Sequence, residues 1–142
     1  MATSNAATTY LENKLLAYIF KNDSGSFSSP GDSIYVGLAT AVSDAEAGSL
    51  TEAAFGSYAR QQVTAANWTL ASSSTDQQTV TNTNNIEFPA STGTTQTITH
   101  AFIADASSSG NILFVGALDA SKQIATGDIF RINATNLTIE LK

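Results

Sequence analysis

Two stretches near the end of the chain decide the fold: Thr95-Gln96-Thr97-Ile98-Thr99-His100-Ala101-Phe102-Ile103-Ala104-Asp105 and Asn111-Ile112-Leu113-Phe114-Val115-Gly116-Ala117-Leu118-Asp119. Both are apolar runs, and Ser107-Ser108-Ser109-Gly110 lies between them. Strand-forming runs bracketed by small, turn-forming residues predict a β-hairpin, here with a loop of about five residues. Gly127-Asp128 marks a further turn before Ile129-Phe130-Arg131-Ile132. The C-terminus then alternates strictly, Leu137, Ile139 and Leu141 against Thr138, Glu140 and Lys142. A period of two is the pattern of a strand with one face buried, so this terminal segment is expected to pair in a sheet.

Working towards the N-terminus, Ser33 to Thr40 reads as a strand with Ile34, Val36 and Leu38 on one face and Tyr35 on the other. Ser43 to Gly48 reads as a surface loop, followed by one helical turn over Leu50 to Phe55. Ser57 to Ala65 alternates like a strand, and Trp68 and Leu70 extend an apolar patch. Ser72-Ser73-Ser74 is a loop, and Gln77 to Thr83 reads as a solvent-facing edge strand that turns at Asn84-Asn85 into Ile86-Glu87-Phe88-Pro89. Phe27 to Asp32 is turn-rich.

The opening segment has a different period. Leu11, Leu15, Tyr18 and Ile19 recur at helical spacing, and Leu16 and Phe20 widen the stripe. Thr9 followed by Glu12 has the form of a capping box, and Asn22, Asp23 and Gly25 close the segment. The expected fold is therefore mainly β: a single domain over 1–142, with one N-terminal α-helix at about 8–21 and a β-sandwich-like body at about 33–142.

Composition limits what such a domain can do. Only 13% of the 142 residues are charged, against the usual quarter; 19 Thr and 17 Ser fill the difference. The net charge is −6, and the six basic residues are scattered singly. Nucleic-acid binding needs clustered Lys and Arg to neutralise phosphates, so a nucleic-acid partner is not expected, nor is attraction to an anionic membrane. Without cysteine, neither disulfides nor thiolate metal sites can form. The first residues lack the basic start and apolar stretch of a signal peptide, so synthesis in a cytoplasm without standard secretory export is expected.

No catalytic set emerges. His100, the single histidine, sits in mid-strand without a nucleophile motif, which favours a structural role. Asp105, Asp119 and Asp128 stand next to turns, where Asp is favoured for binding backbone N–H groups. Asp44, Glu46 and Glu52 lack the spacing of a calcium loop. Neither a phosphate loop nor a dinucleotide fingerprint occurs. Tyr58 and Trp68 near Arg60 could form a sugar-stacking surface, although a lone Trp is more readily a core residue. No catalytic, cofactor-binding or metal-binding residue is expected.

Several segments, taken in order, resemble a family of small β-rich tailed-bacteriophage virion proteins. They are Tyr35-Val36-Gly37-Leu38-Ala39-Thr40-Ala41, Ser43-Asp44-Ala45, and Gly56-Ser57-Tyr58-Ala59-Arg60-Gln61-Gln62-Val63. The match continues through Glu87-Phe88-Pro89, Ile98-Thr99-His100, Gly110-Asn111-Ile112-Leu113-Phe114 and Gly127-Asp128. The resemblance covers nearly the whole chain; Ser72 to Asn85 departs from it as an extra polar stretch. It implies a structural component on the exterior of the capsid or tail, made in the host bacterial cytoplasm. The first expectation is a capsid decoration or cement protein that binds the major capsid protein. The alternative is a tail-tip or tail-fibre component that joins other tail proteins and touches the host surface. In either case a homo-oligomer is expected, with contacts drawn from Leu11, Leu15, Tyr18, Ile19, Tyr58, Arg60, Trp68, Leu137, Ile139 and Leu141.

Overall fold

In the computed structural model, which describes residues 5–23, 30–72 and 78–141, the two decisive stretches pair antiparallel as Gln96–Ala104 and Ile112–Ile124. The loop between them is closed by Asp105. Its Oδ1 accepts the Asn111 backbone N–H at 2.7 Å, and its Oδ2 accepts the Asn111 side-chain amide at 2.8 Å. Ser109 and Gly110 both take left-handed backbone, with φ of 52° and 70°, which is the geometry the Ser/Gly spacer supplies.

In chain order the elements are β1 (Ala6–Ala7), α1 (Thr9–Phe20), β2 (Tyr35–Asp44), β3 (Ser49–Glu52), β4 (Gln61–Gln62), β5 (Trp68–Ser72), β6 (Gln78–Asn82), β7 (Ile86–Glu87), β8 (Gln96–Ala104), β9 (Ile112–Ile124), β10 (Arg131–Ile132) and β11 (Thr138–Leu141), with a 3₁₀ turn at Ala65–Asn67. The main sheet has the order β1-β9-β8-β2-β3, and β4 also pairs β2. A β7–β10 ribbon and a three-stranded sheet, β5-β6-β11 with β6 in the middle, complete the strands. The fold is mainly β with one helix near the N-terminus, and its sheets curl around a common core in a sandwich-like way.

That core follows from alternation. Val36 and Leu38 of β2, Ile98, Ala101 and Ile103 of β8, and Leu113 of β9 point to one face of the main sheet. There they meet Ile86, Phe88 and Phe130 from the β7–β10 side. The opposite face carries a smaller cluster: Ala39, Ala45, Phe102, Ala104 and Val115. The Phe102 ring lies against Gly37, where an added Cβ would come within 2.2 Å of it. Only glycine admits this approach, because Phe102 is itself buried and has nowhere to move.

The structure corrects several sequence expectations. The helix cap is Thr8, not Thr9. Thr8 leaves the sheet in extended backbone, its side chain accepts the Leu11 N–H, and its hydroxyl donates to the Ile112 carbonyl at 2.6 Å. This displaces Glu12 from the position a capping box needs. The segment Leu50 to Phe55 is not helical: Gly48, at φ +67°, turns β2 back into strand β3. Ser57 to Ala65 is a strand only at Gln61–Gln62, because the side chains of Tyr58 and Arg60 turn inward. β9 runs past Asp119 to Ile124, and a register shift sets Thr99 opposite the excursion Leu118 to Ser121. The expected edge strand Gln77 to Thr83 is a central strand over Gln78–Asn82, since the alternating C-terminus supplies its second neighbour. Of the expected helix-closing residues, Gly25 lies outside the described residues, as do Phe27 to Ser29 in the turn-rich loop and Ser73, Ser74 and Gln77.

Candidate functional site

The ten residues expected at contacts fall into three places with different chemistry. Tyr58 and Arg60 face inward. The Arg60 side chain is 6% exposed and forms a forked pair with Glu52: Nε to Oε1 at 2.8 Å and Nη2 to Oε2 at 2.9 Å. Its Nη1 donates to the carbonyls of Ala106 and Ser109 in the β8–β9 loop, at 2.9 and 2.8 Å. The guanidinium lies 5.1 Å from the centroid of the Phe102 ring, a cation–π distance. Tyr58 Oη donates to Glu52 Oε1 at 2.8 Å and accepts the Leu38 backbone N–H at 3.0 Å. That N–H falls in the gap along β2 between its pairings with β3 and β4, so the phenol satisfies a donor that no strand reaches. The Tyr58 ring stacks on Phe88 and meets the edge of Phe55.

Electrostatics fit this arrangement. Burial alone would raise the Glu52 carboxyl, but hydrogen bonds from Arg60 and Tyr58 and the Arg60 charge outweigh it and hold Glu52 below its ordinary range. The hydrogen bond to Glu52 raises Arg60 above its usual value. Burial, with the adjacent Glu52 charge, pushes the Tyr58 phenol upward, so it stays protonated and donates. The three residues form a hydrogen-bonded node, and one face of the Tyr58 ring is taken up by Phe88.

The second place is the small sheet. Trp68 is half-buried against the core with its Nε1 donating to the Val63 carbonyl at 3.2 Å. Leu137 and Ile139 pack there too. The register aligns Leu70, Val80 and Ile139 across the three strands, with Leu141 two residues further along. This apolar face outruns the core, leaving Leu70 72% and Leu141 55% exposed. Asn82 anchors the sheet from inside: fully buried, it accepts the Leu137 N–H and donates to the carbonyls of Asn84 and Asn133. Between this sheet and β9 opens a cleft of about 940 Å³, whose lining includes Phe114, Leu118, Ile132, Leu137 and Ile139.

The third place is α1. Thr8 and Thr9 fix its first turn through backbone bonds to Leu113 and Glu46, and Leu11 packs against the core. No residue of the helix is buried. Leu15, Tyr18 and Ile19 are exposed by 38%, 50% and 57%. Leu16 and Phe20, which widen the stripe in sequence but are not among the expected contacts, are exposed by 53% and 75%, Phe20 being the outermost residue of the helix. Their place on the far side of the stripe is a matter of helix orientation, which periodicity does not report.

Of the carboxylates expected beside turns, Asp105 holds Asn111 and Asp128 accepts the Ala125 N–H, whereas Asp119 lies within β9, which runs on past it; Asp44 accepts the Ala47 N–H in the β2–β3 turn. His100 Nδ1 shares a hydrogen bond with Thr99 at 2.8 Å, and burial lowers its pKa. Among the described residues no helix is long and apolar enough to cross a membrane.

The protein family described as podophage GP4 fiber I protein gp80 matches residues 6–140. No curated protein matches the chain.

Proposed function

From its membership of this family of podophage fibre proteins, we propose that the chain is a non-enzymatic building block on the outside of a phage particle, carried in a tail fibre and joined to other tail proteins of the same phage. The family match, which spans almost the full sequence, carries this reading. It favours the fibre over the capsid shell that the sequence resemblance put first. The side-chain chemistry supports a structural role: the acidic groups at turns bind backbone N–H groups, and the forked Arg60 is committed inside the domain. Arg131 pairs across strands with Glu87 at 2.7 Å, so two of the six basic residues are already partnered, which weighs further against a nucleic-acid or membrane-surface partner. One face of the partly buried Tyr58 ring is stacked on Phe88, which leaves less of it for a host sugar.

Quantitative mass spectrometry of purified particles, scaled to the major capsid protein, tests the proposal. The expected result is a small, fixed copy number of the order set by tail symmetry. Hundreds of copies per particle would move the protein to the shell, and absence from mature particles would end the reading.

A further inference from the structure

We propose that the cleft between β9 and the small sheet is a docking groove for an extended segment of another tail protein. The segment adds its backbone to the open edge of β9 and inserts an apolar side chain over Gly116. The proposal rests on the fibre reading only for the source of the segment; its physical basis is a gap in the core. Register sets Gly116 opposite Ala101, and paired residues turn to the same face of a sheet. Gly116 therefore looks to the inner face that Ala101 occupies, and two small residues floor the cleft. An added Cβ at Gly116 would find Asn5 Oδ1 as its nearest neighbour, at 3.9 Å. At Gly37 the same addition strikes a ring; at Gly116 it enters open space.

The walls of the cleft have the same deficit. Phe114 and Leu118 on one side, and Ile132, Leu137 and Ile139 on the other, pack against the core yet are only half-buried. One apolar side chain entering between them would cover all five, which the hydrophobic effect favours. Water gains little there, because a bound water needs several polar partners. Exposed Asn133, Asn136 and Thr138 interleave with the apolar wall residues and offer hydrogen bonds to a polar backbone. The volume of about 940 Å³ exceeds a single side chain, so the occupant is a segment.

The edge beside the cleft selects a strand. β8 pairs with one side of β9 from Ile112 to Ile124, but β1 covers the other side only at Phe114 and Val115. Among the described residues, no strand pairs with that side from Gly116 onward. In an antiparallel ladder alternate residues turn both backbone groups to the same neighbour. The Leu113 carbonyl accepts the Thr8 N–H on this side, so Val115 and Ala117 face the same way. There the Asn5 side chain accepts the Ala117 N–H at 2.7 Å, standing in for the carbonyl that a paired strand would bring. The excursion from Leu118 to Ser121 then breaks the ladder, which keeps the docked segment short. Charge selects a neutral segment: Asp119, Lys122, Arg131 and Glu140 line the cleft, two of each sign. Strand addition with a pocket for alternate side chains is a recurring mode of peptide recognition.

Amide NMR titration of the isotope-labelled full chain tests the proposal. The probe is an end-blocked synthetic peptide of about six residues, in which Thr alternates with Leu around a central Phe. Saturable shifts are expected at Gly116, Ala117 and the β11 residues, with a Kd below about 1 mM. Gly116→Val fills the hollow, and is expected to weaken binding at least about tenfold without lowering the melting temperature. The same peptide N-methylated at alternate amides keeps its side chains but loses backbone donors. It is expected to bind at least about tenfold more weakly too, and it decides the matter should Gly116→Val fail to fold. No saturable shift up to roughly 5 mM overturns the proposal, as does a folded Gly116→Val chain or an N-methylated peptide that binds as well as its parent. Binding seen only after removal of residues 1–4 would assign the edge to the chain's own beginning, and overturns it equally. The titration needs no phage particle, so its failure strikes this docking alone, whereas absence of the chain from virions strikes the fibre reading alone.

Discussion

The Glu52–Tyr58–Arg60 node and helix α1 reverse the usual division of residues. The node takes two charges and a phenol into the domain, leaving the Arg60 side chain 6% exposed, while the helix holds Phe20 out at 75% and Ile19 at 57%. Each arrangement has a cause. Arg60 can leave water because its fork finds a carboxylate and two carbonyls in fixed positions, which replaces the hydrogen bonds that solvent gave it. The helix stays out because β1 and Thr8 tether only its first turn. Inside, polar groups set the geometry where three strands and a loop meet. Outside, apolar side chains of the helix face solvent. The contrast teaches that in this low-charge domain charge serves internal fixation, while apolar surface is left at the periphery.

The sharpest way to break the contrast is Arg60→Ala. It strands the Glu52 carboxylate and leaves the carbonyls of Ala106 and Ser109 without their donor. A loss of about 3 kcal/mol is expected from removing one partner of a largely buried pair, read as a lowered urea midpoint with unchanged slope. Loss below about 0.5 kcal/mol would mean that the node is a bystander.

Acid sharpens the same point with a smaller effect. Glu52 titrates below its ordinary value in the folded chain, so the stability it contributes is fully present above the unfolded carboxylate pKa of about 4.3. That contribution is lost as pH falls through the lower folded value. The difference in melting temperature between wild type and Glu52→Gln is therefore expected to be largest near neutrality and to shrink in acid. A difference that stays constant down through the carboxylate range would show that the charge of Glu52 is immaterial.

The smallest effect belongs to the helix. In chains diluted well below micromolar, Leu16→Ser should change unfolding free energy by less than about 0.5 kcal/mol, as at other exposed sites. A loss of several kcal/mol at high dilution would place Leu16 in the core of the single chain.

The hairpin at Gln96–Ala104 and Ile112–Ile124 was legible because local alternation and a Ser/Gly turn act within a few residues of one another. The inward set Val36 and Leu38 was legible for the same reason. The four-residue excursion of β9 was not, since Leu118 to Ser121 are ordinary strand formers and only pairing with β8 exposes the mismatch. Ser57 to Ala65 misled because Tyr58 and Arg60 alternate as a strand would, yet their side chains answer to Glu52 and Leu38 on other elements. The helical stripe could be seen in sequence; its most exposed members, Phe20 and Ile19, could not be ranked there.

Periodicity, turn chemistry and the scarcity of charge, all readable residue by residue, determined that this is a mainly β chain with one N-terminal helix and a polar surface. Those properties depend on neighbours a few positions apart. Whether Arg60 is a surface cation or an internal clamp, whether β6 is an edge or a centre, and which side of α1 meets the core were decided by tertiary structure alone. Each depends on groups far apart in the chain, and only folding sets the distance between them.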